Sequence, residues 1–367
     1  MDRFARQLIL PGFGPEAQRR LAEAHVVVVG AGGLGCPALL YLAAAGVGTF
    51  TVVDGDVVAE SNLHRQVLYG PSDVGRPKAQ VAAERLLALG AAEVHPIARH
   101  LVPETALALL APATVVVDGS DNFSTRYLVN DACVLLGKPL VWGTVYQYQG
   151  QYSVFNAPPF VPGTSPQAPN LRCLFPEQPA AESIPSCAEA GVLGPVAGHI
   201  GTHLALAAIR LLTGIGAPAS GRLVAFDGLS GATDTFALPP DPANPLFTGA
   251  ITALAPERYA DASCPPIARG LSPGEFDVYR ALPTTQLIDV REPWEHAAAH
   301  LGGRLIPLGS LPSEAHSLDP ARPVVLYCQR GARSLAAAHQ LAAQGFTDLF
   351  HLVGGLEGYT QAHPTGV

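Results

Sequence analysis

Lysine is almost missing from this 367-residue chain: of its 22 basic residues, only Lys78 and Lys138 are lysines. With abundant Ala, Gly and Pro, that bias points to a GC-rich genome, and a lysine kept where arginine is the default marks a place that wants an ammonium. There is no run of Lys or Arg, and the formal net charge is −8, which excludes the footprint of a nucleic-acid binder. Cysteine is scarce as well. The six, at positions 36, 133, 173, 187, 264 and 328, lack dense regular spacing, so reduced thiols are expected rather than a disulfide framework. No N-terminal segment joins basic residues to an apolar stretch and a small-residue cleavage site, so no signal peptide is expected. The longest uncharged apolar stretch, Val192 to Ile209, holds His199, His203 and three glycines, and it reads as a buried core helix rather than a membrane span. A cytoplasmic protein with no membrane or nucleic-acid partner is expected, long enough for two domains.

What is present is organised around His25 to Asp56. Val26 to Val29 read as a buried parallel strand. Gly30, Gly32 and Gly35 supply a G-x-G-x-x-G turn that brings backbone amides and a helix N-terminus up to a phosphate, with the helix over Leu39 to Ala45. A second strand, Thr49 to Val53, delivers Asp54 about 20 residues on, where a carboxylate can accept hydrogen bonds from ribose hydroxyls. This is a nucleotide site, and the fingerprint alone leaves a nicotinamide or flavin dinucleotide open.

Further along, Asn62 and Arg65 stand three apart, on one face of a helical turn, and Gly75-Arg76-Pro77-Lys78 opens a helix. Cations around a glycine loop suit a triphosphate better than a dinucleotide; the alternative is a solvated basic face. Val94 to Ala98 and Thr114 to Val117 read as strands. The second runs into Asp118-Gly119-Ser120-Asp121-Asn122, where Asp121 could hold Mg²⁺ or cap the helix Thr125 to Leu136. Leu140 to Trp142 and Gly150 to Phe155 are further strands, followed by a long Pro-rich loop, Pro158 to Pro185. Cys187 follows it, just ahead of the apolar helix, and is either a nucleophile with depressed pKa or a small buried residue. A hairpin, Leu223 to Asp227 with Thr233 to Leu238, closes the first domain. After it the chain reads as a Pro/Ala-rich linker, in which Cys264 has no assigned role.

A second domain starts near Leu271. Strands at Gln286 to Glu292 and Val324 to Tyr327 lead to Cys328-Gln329-Arg330-Gly331-Ala332-Arg333-Ser334 and a helix over Leu335 to Gln344. That loop reads as a cradle of amides around sulfur, with the helix dipole, Arg330 and Arg333 favouring a thiolate or persulfide. The alternative is a core cysteine with incidental arginines.

Taken together, RQLILPGFG, VVVVGAGGLG, SNLHRQVLYG, GRPKA, DGSDNFSTRYLVNDAC, RCLFPE and PSCAEAGVLGP resemble the MoeB/ThiF group, relatives of ubiquitin-activating enzymes. LIDVREPWE, CQRGARS and LVGGLEGY resemble a rhodanese. The resemblance implies an α/β chain: a Rossmann-like, ubiquitin-activating-enzyme-type adenylyltransferase domain (1–248), a linker (249–270), and a smaller α/β rhodanese domain (271–367). It implies ATP and Mg²⁺, with Gly33 approaching the phosphates and Asp54 on the ribose. Asn62, Arg65 and Lys78 would contact phosphates, and the neighbouring Ser61, Leu63 and His64 of SNLHR would belong to the nucleotide-binding set. Asp121, with Asn122 beside it, would bind Mg²⁺ or nucleotide, and Arg6 would reach into a partner subunit's site, so a homodimer through the N-terminal domain is implied. Cys187 would form a covalent link with the carrier's C-terminus. Gln329 to Arg333 would cradle a persulfide on Cys328.

The implied partners are a ubiquitin-like sulfur carrier and a sulfur donor such as a cysteine desulfurase or thiosulfate. The implied work is adenylation and thiocarboxylation of the carrier's C-terminal glycine for molybdopterin, thiamin or tRNA thiolation. Two C-x-x-C pairs that bind structural zinc in the family read here as Asn170-Leu171-Arg172-Cys173 and Asn244-Pro245-Leu246-Phe247. One thiolate cannot build a tetrahedral S₄ site, so no zinc is expected and apolar contacts around Leu171, Leu174 and Phe247 are the expected substitute. The rivals are a nicotinamide oxidoreductase with an appended sulfur domain, a non-catalytic docking adaptor for ubiquitin-like proteins, and a phosphatase reading of the second domain alone.

Overall fold

The computed structural model describes residues 2–157, 168–179, 191–216, 219–259 and 268–363, and the chain divides into two compact units. In the first, the β-branched run His25–Val29 (β1) sits at the centre of an eight-stranded sheet. Its other strands are Thr49–Val53 (β2), Glu93–Ile97 (β3), Val115–Asp118 (β4), Leu140–Tyr146 (β5), Gln149–Phe155 (β6), Arg222–Asp227 (β7) and Thr233–Ala237 (β8). The order β3-β2-β1-β4-β5-β6-β7-β8 is parallel through β5 and antiparallel beyond it. The alternating valines of β1 feed two cores, Val26 and Val28 into one, Val27 and Val29 into the other. The sheet is therefore covered on both faces, as a parallel sheet requires.

The apolar stretch read as a core helix is one. Gly194–Thr213 buries Val196, Ala197, Ile200 and Leu204 against the sheet and the helix Gly35–Ala45. Two glycines make that approach close. A Cβ at Gly143 would lie 3.0 Å from Leu204, and one at Gly150 would lie 2.3 Å from Ile200. β5, read as Leu140 to Trp142, therefore runs on through Gly143 to Tyr146, since tertiary packing favours a glycine there.

Residues 249–270 do not behave as a single linker. Ile251 and Tyr259 are buried in the first unit, and Tyr259 Oη donates 2.9 Å to Asp131 Oδ2. At the other end Arg269–Leu271 (β9) is a strand of the second unit. The apolar side chains are too widely spaced for any periodicity to reveal this anchoring. Asp131 also takes a bidentate pair from Arg172, at 2.8 and 2.7 Å, whose guanidinium lies over the Tyr127 ring. The second unit is a five-stranded parallel sheet, β11-β10-β12-β13-β9, from Gln286–Asp289 (β10), Arg304–Leu305 (β11), Val324–Tyr327 (β12) and Leu349–Leu352 (β13) with β9.

Asp131→Ala leaves the buried Arg172 without its carboxylate and should destabilise the first unit by about 3–5 kcal/mol, read as a lower urea midpoint. A loss below about 1 kcal/mol would show that Tyr127, bonded to the Phe175 carbonyl, and Asn130, bonded to the Leu171 N–H, hold the segment without the ion pair.

Candidate active sites, one in each unit

The first site stands at the carboxyl ends of β1, β2 and β4, where open α/β sheets bind ligands. The glycines after β1 have two separable duties. Gly30 (φ +88°) and Gly35 are packing glycines: a Cβ on Gly35 would sit 1.9 Å from the Gly30 carbonyl oxygen, and one on Gly30 would sit 2.9 Å from the Gly119 backbone. Gly32 and Gly33 meet only side chains beyond 3 Å, so they leave the loop's amides open to a ligand.

Asp54 anchors this loop. Its Oδ2 accepts the Ala31 N–H and its Oδ1 the Asp56 N–H, each at 2.8 Å. Burial pushes its carboxyl up, while Lys78 and the two amides work against that. The aliphatic part of Arg65 lies over Gly33, and its Nη1 donates to the Ser61 carbonyl at 3.0 Å and meets His64 Nε2 at 2.8 Å. Lys78 is buried, and its Nζ donates to Asp56 Oδ2 at 2.8 Å, a partner that the sequence reading left out. Asn62 closes its own short turn by accepting the Ala59 N–H, and Leu63 is half-buried beside it.

Asp121 is exposed and makes no side-chain hydrogen bond among the described residues. Its neighbour Asn122 does the capping, accepting from Thr125 N–H at 2.8 Å and Ser124 Oγ at 2.9 Å. The capping alternative for Asp121 thus falls to Asn122, and the carboxylate remains available. No cluster of three His, Cys, Asp or Glu exists among the described residues. A lone carboxylate beside a phosphate cradle fits an Mg²⁺ that takes most of its shell from phosphate and water.

Arg6 is not at this site in its own chain. Gln7 Nε2 donates to the Ala45 carbonyl at the far end of the helix Gly35–Ala45, a helix about 16 Å long that starts at the glycine loop. Cys36, inside the motif, is buried and its thiol is pushed up to about 12, which removes it as a nucleophile. Cys187 and Cys264 lie outside the described residues. Where the resemblance expects two cysteine pairs, the contact is polar as well as apolar. Asn244 Nδ2 donates to Asn170 Oδ1 at 3.0 Å and to Cys173 Sγ at 3.2 Å, with Leu171 and Leu174 packed in the core beside them. Apolar contact alone is therefore not the substitute; an amide pair takes part in it.

The second site is the loop after β12. Cys328 is buried, its Sγ accepts the Gly331 N–H at 3.1 Å, and Gly331 (φ +97°) turns the chain into the helix Ala332–Ala342. Gly355 braces the loop from behind: a Cβ there would lie 2.4 Å from the Cys328 carbonyl, which accepts Leu356 N–H. Both loop arginines are also paired with carboxylates. Arg333 makes a bidentate pair with Glu295, both bonds 2.6 Å, and Arg330 Nε donates to Glu357 at 2.9 Å. Arg333 still interacts electrostatically with Cys328, and the amide cradle and the helix N-terminus add to it in favouring an anion at sulfur. Gln329 is held through its Oε1 by Arg291 at 3.1 Å, and Arg291 is itself buried on Asp289. Burial raises the Asp289 carboxyl, but the hydrogen bonds from Arg291 and His296 hold it below the usual range; Arg333 does the same for Glu295.

With these two sites the fold defines a nucleotide-binding α/β unit joined to a sulfur-loop unit. Residues 4–246 match the model of the ThiF family, and residues 272–362 match that of the rhodanese-like domain. The chain belongs to the ThiF family and carries a C-terminal rhodanese-like domain. It is 42% identical over 374 residues to the "probable adenylyltransferase/sulfurtransferase MoeZ" of Mycobacterium tuberculosis, covering 96% of this chain and 91% of that protein. It is 54% identical over 232 residues to the sulfur carrier protein adenylyltransferase of Thermus thermophilus, covering 62% of this chain and 84% of that one. In structure the chain is similar to E. coli MccB, with a TM-score of 0.57 at 22% identity over 67% of this chain and 72% of that one, a likeness of fold.

A carboxylate depressed in the folded state stabilises above its unfolded pKa and loses that contribution as pH falls through the folded value. The second unit should therefore have a melting temperature level above about pH 5 that falls below about pH 4. Asp289→Asn, less stable throughout, should show a shallower fall; an equal slope in both proteins would remove Asp289 as its source.

Proposed function

We propose that the protein adenylates the C-terminal glycine of a ubiquitin-like sulfur carrier and converts it to a thiocarboxylate with sulfur from a persulfide on Cys328. The observation that carries this is the occurrence, in one chain, of a glycine loop flanked by Arg65 and Lys78 and of the amide-cradled Cys328, with a relative of that dual description matching nearly end to end.

The carrier's carboxylate is already ionised, so its attack on the α-phosphate of ATP asks for positioning and charge stabilisation rather than a general base. Asp54 receives the ribose, the amides of Gly32 and Gly33 the phosphates, and Arg65 and Lys78 the charge that builds as pyrophosphate leaves. Lys78 would exchange Asp56 for phosphate, within the same low-dielectric wall. Asp121 would hold Mg²⁺, which supplies Lewis-acid polarisation of the phosphoryl oxygens. Sulfur chemistry follows in the second unit. The terminal sulfur of the Cys328 persulfide attacks the acyl-adenylate carbonyl, AMP departs with the bonding pair, and an acyl disulfide links carrier to Cys328. A second thiol, with Cys187 as the candidate, attacks the Cys328 sulfur and releases the thiocarboxylate while a Cys187–Cys328 disulfide forms.

The place of Arg6, about a helix length from its own glycine loop, supports its delivery to the site of a second copy and so a homodimer. An external dithiol would reduce the Cys187–Cys328 disulfide, becoming a disulfide itself, and the freed Cys328 thiolate would then take sulfane sulfur from a desulfurase persulfide, which leaves as a thiolate, or from thiosulfate, which leaves as sulfite. Molybdopterin, thiamin and tRNA thiolation are the pathways that use such a carrier.

Arg65→Ala should lower carrier-dependent ATP–pyrophosphate exchange by about 10²-fold or more. Cys328→Ser should leave that exchange intact and stop thiocarboxylate formation, read from the intact mass of the carrier. Sulfuration continuing at the normal rate in Cys328→Ser would overturn the second half of the scheme; exchange surviving in Arg65→Ala would remove Arg65 from the first, and no carrier-dependent exchange in the parent would overturn it and favour a docking adaptor.

A further inference from the structure

Behind Asp121 stand two buried ionisable side chains that the scheme above leaves without a task. Asp118, the last residue of β4, is fully buried, and Arg126, in the first turn of the helix Phe123–Leu136, is 7% exposed. They do not pair with each other; they converge on one residue. Asp118 Oδ1 accepts the Ser120 N–H at 2.9 Å, and Arg126 donates through Nε and Nη2 to the Ser120 carbonyl at 3.2 and 3.0 Å. Both backbone polar groups of Ser120 are thus gripped from within the core, and the next residue is Asp121.

The turn that they grip is pressed against the phosphate loop. A Cβ on Gly119 would lie 3.0 Å from the Gly35 nitrogen and 3.2 Å from the Gly30 carbonyl oxygen, so residues 118–121 and the glycine loop meet backbone to backbone. A small rotation of the Ser120 peptide would re-aim Asp121 relative to the loop without moving the loop. The grip is also not a completed buried network. Asp118 Oδ2, Ser120 Oγ and the Nε1 of Trp142, the register partner of Asp118 on β5, have no hydrogen-bond partner among the described residues. Apolar side chains at 118 and 126 would avoid that desolvation cost, so stability is a poor reason for the arrangement. Holding a geometry is a better one.

We propose that Asp118 and Arg126 are positioning residues that act through the Ser120 peptide to aim the Asp121 carboxylate at a metal-bound nucleotide. The role depends on Asp121 facing the metal, as proposed above. It is tested on the full chain by measuring the affinity for ATP by equilibrium dialysis in Mg²⁺ and again in EDTA, with the ratio of the two as the readout. Asp121→Ala should bring that ratio close to one. Asp118→Ala and Arg126→Gln should lower it about fivefold or more, with affinity in EDTA within twofold of the parent. Asp118→Asn, which keeps an oxygen able to accept the Ser120 N–H, should restore the ratio, and Arg126→Lys, with one donor in place of a fork, should fall between. A purely structural role would lower the melting temperature and both affinities in proportion, leaving the ratio unchanged, and would overturn the proposal. A collapsed ratio in Asp121→Ala with a normal one in Asp118→Ala and Arg126→Lys would overturn it too, while sparing the functional reading. An unchanged ratio in Asp121→Ala would remove Asp121 from the metal site, and with it both.

Discussion

The first unit depends on backbone packing against backbone with nothing between. At Gly35 and Gly30 even a methyl group is excluded and at Gly119 it would be tightly hemmed in, because the turns at the carboxyl ends of β1 and β4 and the helix after β1 occupy the same few ångströms. That contact packs the glycine loop and the start of the turn bearing Asp121 backbone to backbone. It also separates glycines that permit folding, Gly30 and Gly35, from glycines that leave amides open, Gly32 and Gly33. Around it, Asp54 ties the loop to the next strand through two amides, and Lys78 waits on Asp56 at the rim. Preorganised donors of this kind cost no reorganisation during reaction, which is how charge stabilisation outweighs any need for acid–base groups.

The second unit solves a related problem with a different balance. Cys328 sits where a strand ends and a helix begins, and its carbonyl is braced by Gly355 and Leu356 so that the loop cannot drift. Its arginines are matched by Glu295 and Glu357, and the oriented amides add to what favours an anion there. Arg291 extends the same design inward, since a buried ion pair with Asp289 frees one guanidinium arm to hold Gln329 in the loop.

The stretch that ends at Tyr259, irregular in composition, is tied into the first unit. The Asp131 carboxylate collects Arg172 and Tyr259 at a buried point, and Asn170, Cys173 and Asn244 join two segments about 70 residues apart. These links are side chain to side chain, among residues with no periodic relation. They cross-brace the first unit through amide and ion-pair geometry.

Period and punctuation in the sequence determined a good deal. The Val26 to Val29 run, the G-x-G-x-x-G turn, Asp54, the Val324 to Tyr327 strand and the Cys328 loop were all legible because each is a local pattern whose meaning is carried by neighbouring residues. The tertiary structure decided the rest. That Asn122 rather than Asp121 caps the helix and that Asp118 and Arg126 grip Ser120 turn on which neighbouring side chain reaches a backbone group; that Glu295 and Glu357 take up the loop arginines and that Tyr259 belongs to the first unit turn on contacts between residues far apart in the chain. Spacing along a sequence reports periodicity, but the partner that satisfies a buried charge is chosen only when the sheets and helices close over it.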